Sequence, residues 1–125
     1  MLIDTDILIW MMRGHTGATQ RLQSLLPWRI AVATYIELVQ GCRNKQELIN
    51  IKNGLAMCQT QILPITAAIS GHAMHLIDTY ALSHSMQLGD ALIAATALEH
   101  GLTVLTGNAK HFVPITGLQV ERFAP

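Results

Sequence analysis

Four residues whose side chains could work together are spread along the chain: Asp4, Glu37, Asp90 and Asn108. Three carboxylates and an amide supply only oxygen ligands, the set that a hard divalent cation such as Mg2+ or Mn2+ takes. Carboxylates sharing one pocket repel one another and raise one another's pKa unless a cation neutralises them. A cation held in this way polarises a phosphodiester, lowers the pKa of a bound water and stabilises the leaving oxygen. Each residue also has a plainer reading. Thr34-Tyr35-Ile36-Glu37 is a capping-box pattern in which Glu37 returns a hydrogen bond to a helix start. Asp90 follows Gly89 where a carboxylate complements a helix dipole, and Asn108 follows Gly107 as an N-cap or turn residue. Asp4 is hardest to explain plainly, because a charge ending a buried strand needs a partner.

The elements that must position these residues follow from periodicity and punctuation. Met1 to Asp4 reads as a short buried strand ending in an acid, and Ile7 to Arg13 as an apolar helix closed by Gly14. Gln20 to Leu26 has leucines at helical spacing before Pro27; Ile30 to Ala33 is a second strand, after which Thr34 opens a helix to Gly41. A more polar helix is expected from Asn44 to Met57, a strand from Gln61 to Leu63, and a long helix from Thr66 to Ser83 bearing His72 and His75. Asp90 to Glu99 reads as a helix stopped by Gly101, Thr103 to Leu105 as a strand, and Leu118 to Glu121 as a last edge strand. Short apolar strands alternating with helices predict a parallel sheet covered on both faces, with ligands beyond the carboxyl ends of the strands. Asp4, Glu37, Asp90 and Asn108 all fall near strand ends or helix starts, so such a sheet gathers them at one edge.

Four segments carry a resemblance. Leu2-Ile3-Asp4-Thr5-Asp6-Ile7-Leu8-Ile9, Ala33-Thr34-Tyr35-Ile36-Glu37-Leu38, Asp90-Ala91-Leu92-Ile93-Ala94-Ala95-Thr96-Ala97 and Leu105-Thr106-Gly107-Asn108-Ala109-Lys110-His111-Phe112 resemble, in order, the four motifs of PIN-domain ribonucleases, most closely the VapC toxins of VapBC toxin–antitoxin pairs. The resemblance implies a three-layer α/β/α PIN-like fold with a short parallel sheet, residues 1–125 forming a single domain. It implies a divalent-metal-dependent endoribonuclease, the toxin of a type II pair, with Asp4, Glu37 and Asp90 as Mg2+ or Mn2+ ligands and Asn108 completing the catalytic set. Asp6 stands where many members carry Asn, Ser or Thr, and is expected to support the site or to add a ligand; Thr106 is expected to orient water or phosphate. The partners implied are a cognate antitoxin seated in a groove of the early helices, an RNA substrate and a second copy in a homodimer. The alternatives kept beside this reading are a catalytically inactive PIN-fold interaction module and a housekeeping ribonuclease with no antitoxin.

Composition bounds the rest. Of 125 residues half are hydrophobic and 13% charged, with a mean hydropathy of +0.34, too apolar for a disordered chain. Eight basic and eight acidic residues give no net charge, so a nucleic-acid site must be local; Arg13, Arg43, Lys45 and Lys52 are best placed to flank an acidic pocket. Cys42 and Cys58 form neither a CxxC pair nor a disulfide framework, and no apolar run approaches the roughly 18 residues of a membrane span, so a cytoplasmic, membrane-free protein is expected. His72 and His75 lack a third metal ligand at suitable spacing and read as a solvated helix face. His111 is either a substrate contact or packing beside Phe112; Trp10, Met11 and Met12 are either core or an adaptable binding surface. The Asp4-x-Asp6 pair also suggests acyl-phosphate phosphatases of the haloacid dehalogenase type, but Gly89-Asp90 precedes the Thr106 strand, the reverse of that order.

Overall fold

Neighbouring residues of the strands point into opposite cores. Leu2, Ala31, Leu63 and Val104 enter one apolar cluster, whereas Ile3, Ile30 and Leu105 enter another. This is the two-residue alternation of a sheet buried on both faces, and it explains why neighbouring buried positions of a strand are both apolar. The computed structural model describes residues 1–124.

The strands are β1 (Leu2–Ile3), β2 (Arg29–Ala31), β3 (Gln61–Leu63), β4 (Val104–Thr106) and β5 (Val120–Arg122). All their pairings are parallel. β4 lies between β1 and β5, with Leu2 opposite Val104 and Val104 opposite Val120; β2 pairs separately with β3, Ile30 opposite Ile62. β1 and β2 lie side by side, although the ladder bonds stay within the two groups. Helices α1 (Thr5–Met12), α2 (Thr16–Gln23), α3 (Val32–Gln40) and α4 (Lys45–Met57) supply Ile7, Leu8, Ala18, Leu22, Leu38 and Leu55 to the second cluster. Helices α5 (Ala67–His84) and α6 (Leu88–His100) cover the first with Ile69, Ala73, Leu76, Ile93 and Ala97. The result is the expected three-layer α/β/α arrangement.

Local signals explain most boundaries. Asn44 and Thr66 cap α4 and α5 through their side chains, accepting from Glu47 N and Ile69 N. Gly101 ends α6 with φ +64°, a left-handed conformation that glycine adopts without steric cost. Three expectations need correction. The third helix starts at Val32 rather than Thr34, so Thr34 is fully buried inside α3. The helix carrying Asp90 starts at Leu88, which makes Asp90 its third residue. The second helix runs Thr16–Gln23, capped by the His15 side chain, so Leu25 and Leu26 lie beyond it.

Candidate active site

β1 ends at Ile3, and the next residue caps a helix. Asp4 is 7% exposed, and its Oδ1 accepts from Thr5 N at 2.7 Å, the end of α1 turned towards it. Its Oδ2 accepts from the Thr106 hydroxyl at 2.7 Å. That hydroxyl also accepts from Asn108 N at 2.9 Å, so Thr106 links the ends of β1 and β4. Burial pushes the Asp4 carboxyl up to about 7, and the charges of Asp6 and Asp90 push in the same direction against the two hydrogen bonds. Burial also raises Asp6, whose Oδ2 accepts from Gly107 N at 3.1 Å while its buried Oδ1 has no hydrogen-bond partner among the described residues.

Glu37 lies on α3, one helical turn beyond buried Thr34. Its Oε1 accepts from the Thr5 hydroxyl at 2.7 Å, and that hydroxyl lies 3.2 Å from Thr34 Oγ1. Glu37 is therefore not the return arm of a capping box: α3 begins at Val32, with no side-chain cap, and the carboxylate is tied to α1. On its other side it abuts Gly89, where an added Cβ would lie 2.9 Å from Glu37 Oε2. Asp90, the next residue, keeps part of its plain role, since its Oδ2 accepts weakly from Gln87 N at 3.3 Å and completes a capping box with Gln87. The same oxygen lies 3.2 Å from His111 Nδ1, so His111 faces an acid rather than merely packing beside Phe112.

The fold thus brings Asp4, Asp6, Glu37, Asp90 and Thr106 to the carboxyl end of the parallel strands. Asn108 is exposed, its backbone N–H is bound to Thr106, and its side chain does not cap the short 3-10 turn Ala109–His111. Two supporting groups lay outside the sequence reading: the Thr5 hydroxyl on Glu37 and the Asp90–His111 contact. The Asp-Thr-Asp string is the one local signal for the first, a hydroxyl between two acids.

The donor chemistry fits a hard divalent cation. It is all oxygen, it concentrates negative charge that burial makes costly, and Asp6 Oδ1 is a buried acceptor without a donor. As placed, however, no three His, Cys, Asp or Glu side chains among the described residues surround one point closely enough to hold an ion. Each acid is tied to its own scaffold, Asp4 to Thr5 and Thr106, Glu37 to Thr5, Asp90 to Gln87 and His111.

Beside the acids runs a groove of about 640 Å³ between α1, α3 and α4, lined by Ile9, Met12, Arg13, Glu37, Arg43 and Ile51 among others. Arg43 is paired with Glu47 at 3.1 Å; Lys45 and Lys52 are exposed and do not line the groove. His72 is half-buried and pairs with Glu99 at 3.0 Å, so only His75 of that pair belongs to a solvated face.

Sheet order, covered faces and an acid cluster at the strand ends define a class. Residues 1–113 match the PIN domain, and the chain belongs to the PIN-domain family. Its relatives include Ribonuclease VapC10 of Mycobacterium tuberculosis, 35% identical over 116 residues spanning 90% of this chain and 85% of the relative. Ribonuclease VapC1 of Rickettsia felis is 30% identical over 136 residues, spanning 96% and 93%. Among solved structures, a toxin–antitoxin complex from Klebsiella pneumoniae superposes with a TM-score of 0.78 at 29% identity, over 94% of this chain and 93% of that one.

Proposed function

We propose that this chain is a divalent-metal-dependent endoribonuclease, the toxin of a type II toxin–antitoxin pair, hydrolysing RNA phosphodiester bonds with Mg2+ or Mn2+. The observation that carries the reading is the buried carboxyl of Asp4, raised to about 7 beside Asp6 and Asp90 at the carboxyl edge of a parallel sheet. The hydrogen bonds from Thr5 N and Thr106 offset only part of the cost of burying this carboxyl, and an apolar side chain would fill the space at lower cost. The ribonuclease names of relatives sharing nearly the full length support the substrate class, and the solved toxin–antitoxin complex supports the partner.

In this reading Asp4, Glu37 and Asp90 hold the cation, Asp6 offers its unpartnered oxygen to it or to a bound water, and Asn108 supplies an exposed amide at the rim. The cation supplies charge neutralisation and an activated water. Thr106 keeps the Asp4 carboxylate turned to the strand edge, and Thr5 does the same for Glu37. His111, on Asp90, is placed to orient that carboxylate. The groove between α1, α3 and α4, whose wall mixes Ile9, Met12 and Ile51 with Arg13 and Arg43, is the seat of a cognate antitoxin segment. Exposed apolar side chains such as Met74 and Leu82 of α5 and Leu88 of α6 are available to a second copy in a homodimer. Residues 1–125 act as one domain, and no helix among the described residues is long and apolar enough to cross a membrane.

The deciding experiment is cleavage of a mixture of transfer and ribosomal RNA with Mn2+, Mg2+ or EDTA, by wild type, Asp4→Asn and Asp90→Asn prepared identically. Discrete products with a divalent cation, lost in EDTA and in both variants, are expected. A wild type as inactive as its variants, and binding neither metal nor RNA, would make the chain an interaction module instead.

A further inference from the structure

The chain has four Trp and Phe residues, and their placement is uneven. Trp28 and Phe112 are buried in the cores. Trp10 and Phe123, which come from opposite ends of the chain, are half-buried and meet beside the acid cluster, with ring centroids 5.8 Å apart at 49°. His15 completes the group, 6.0 Å from Trp10 at 31° and 5.9 Å from Phe123 at 79°. Three rings at nearly equal spacing, inclined to one another and seated on the edge of the second core, keep part of their surface open to solvent as an aromatic platform.

Two contacts tie the platform to the reacting end of the sheet. Asp6 and Trp10 are four residues apart on α1 and share a face of that helix. Both abut Gly107: a Cβ there would lie 2.8 Å from Asp6 Oδ2 and 2.5 Å from Trp10 Cη2. Phe123 N donates to Thr106 O at 2.8 Å, so the second ring extends β5 beside the residue that holds Asp4. Gly107 is thus the seam between carboxylates and rings, and its missing side chain is what lets the indole close on it.

The third ring adds a polar handle. His15 Nδ1 accepts from Ala18 N at 2.9 Å, which in the neutral ring leaves the proton on Nε2 as a donor.

We propose that Trp10, His15 and Phe123 form a stacking subsite for one unpaired base of the RNA, next to the phosphodiester held at the acid cluster. It rests on the ribonuclease reading and adds what selects the substrate: an unstacked base in a single strand or loop, gripped by its ring face with little regard to identity. A base in a duplex cannot reach the platform, because stacking neighbours occupy its faces. The subsite therefore confines cleavage to unpaired positions, and Trp10 determines specificity without touching the reacting atoms.

The test is binding in EDTA, where no cleavage occurs, using a labelled single-stranded oligoribonucleotide of about eight nucleotides and an abasic strand of the same length. With wild type, the base-bearing strand is expected to bind tighter than the abasic one and to quench Trp10 emission in a Trp28→Phe background. Trp10→Leu is expected to weaken the base-bearing strand about 5- to 140-fold and to leave the abasic strand unchanged, while Trp10→Phe retains most of the affinity. Equal binding of both strands, or affinity within twofold of wild type in folded Trp10→Leu and Phe123→Leu, would overturn the subsite. Cleavage by the wild type with Mn2+ is scored separately: cleavage with no preference for base over abasic strand sinks the subsite alone. Base-selective binding without cleavage under any cation sinks the nuclease reading alone.

Discussion

Thr106 Oγ1 and Asp4 Oδ2 lie 2.7 Å apart although 102 residues separate them in the chain. The bond crosses from β4 to the end of β1, its donor is wholly buried, and its acceptor is the most compromised acid of the site. Thr106→Val removes the donor at nearly constant volume. Metal affinity and cleavage are expected to fall about 10- to 100-fold, the usual effect of losing a group that orients a ligand. Thr106→Ser should restore most of both; titration of Mn2+ by calorimetry beside a cleavage assay checks the pair.

Glycine 89 offers a cleaner separation of stability from function. It lies in the first turn of α6, where alanine is favoured over glycine by up to about 1 kcal/mol. An added methyl group would nonetheless meet Glu37 Oε2 at 2.9 Å. Because that oxygen ends a flexible side chain, Gly89→Ala is expected to move Glu37 rather than unfold the protein. Melting temperature should hold or rise while cation-dependent cleavage drops by about tenfold or more.

Gly107→Ala should behave in the opposite way. Its methyl group would lie 2.5 Å from the Trp10 ring, which is packed against Phe123 and His15. Overpacking of this kind costs typically about 1–3 kcal/mol. A lower melting temperature together with a changed Trp10 emission spectrum is expected. An unchanged melting curve and spectrum would show that the indole does not close on Gly107.

The pH dependence has a defined sign. Asp4 ionises near 3.8 when unperturbed and near 7 in the folded chain, so between those values the folded state holds a proton that the unfolded state has released. Stability of the metal-free protein is therefore expected to fall as pH rises from about 4 to about 7 and to level off above. Asp4→Asn should flatten that slope and melt higher than wild type at pH 8 without metal. A divalent cation, which binds the ionised form, should raise the wild-type melting temperature more at pH 8 than at pH 5. Thermal melts across pH, with and without Mn2+, read all three effects.

Much of this was legible in the chain. An acid at the end of an apolar strand must be stabilised, and Asp4 is, by the next backbone N–H and a hydroxyl. Asn44, Thr66 and Gly101 punctuate helices as their chemistry demands, because caps act within four residues. The ordered acids Asp4, Glu37 and Asp90 pointed to one edge of a parallel sheet because strand ends in such a sheet all face the same way.

What the chain alone misjudged depended on packing between distant segments. Thr34 looked like a cap, yet burial drew it into α3, and Glu37 turned to Thr5 instead of back to its own helix. Asp90 looked like a helix start; two further residues joined the helix, and His111 came to face it. Trp10, eighteen residues from the next Trp, Phe or Tyr in the chain, meets Phe123 only because β5 pairs beside β4. Amino-acid types and their order determined the elements, the sheet class and the acids, since propensity, capping and hydrophobic period are local. Tertiary structure alone decided which donor each carboxylate received and which rings stand beside them, because those partners are brought together by burying two apolar faces of one sheet.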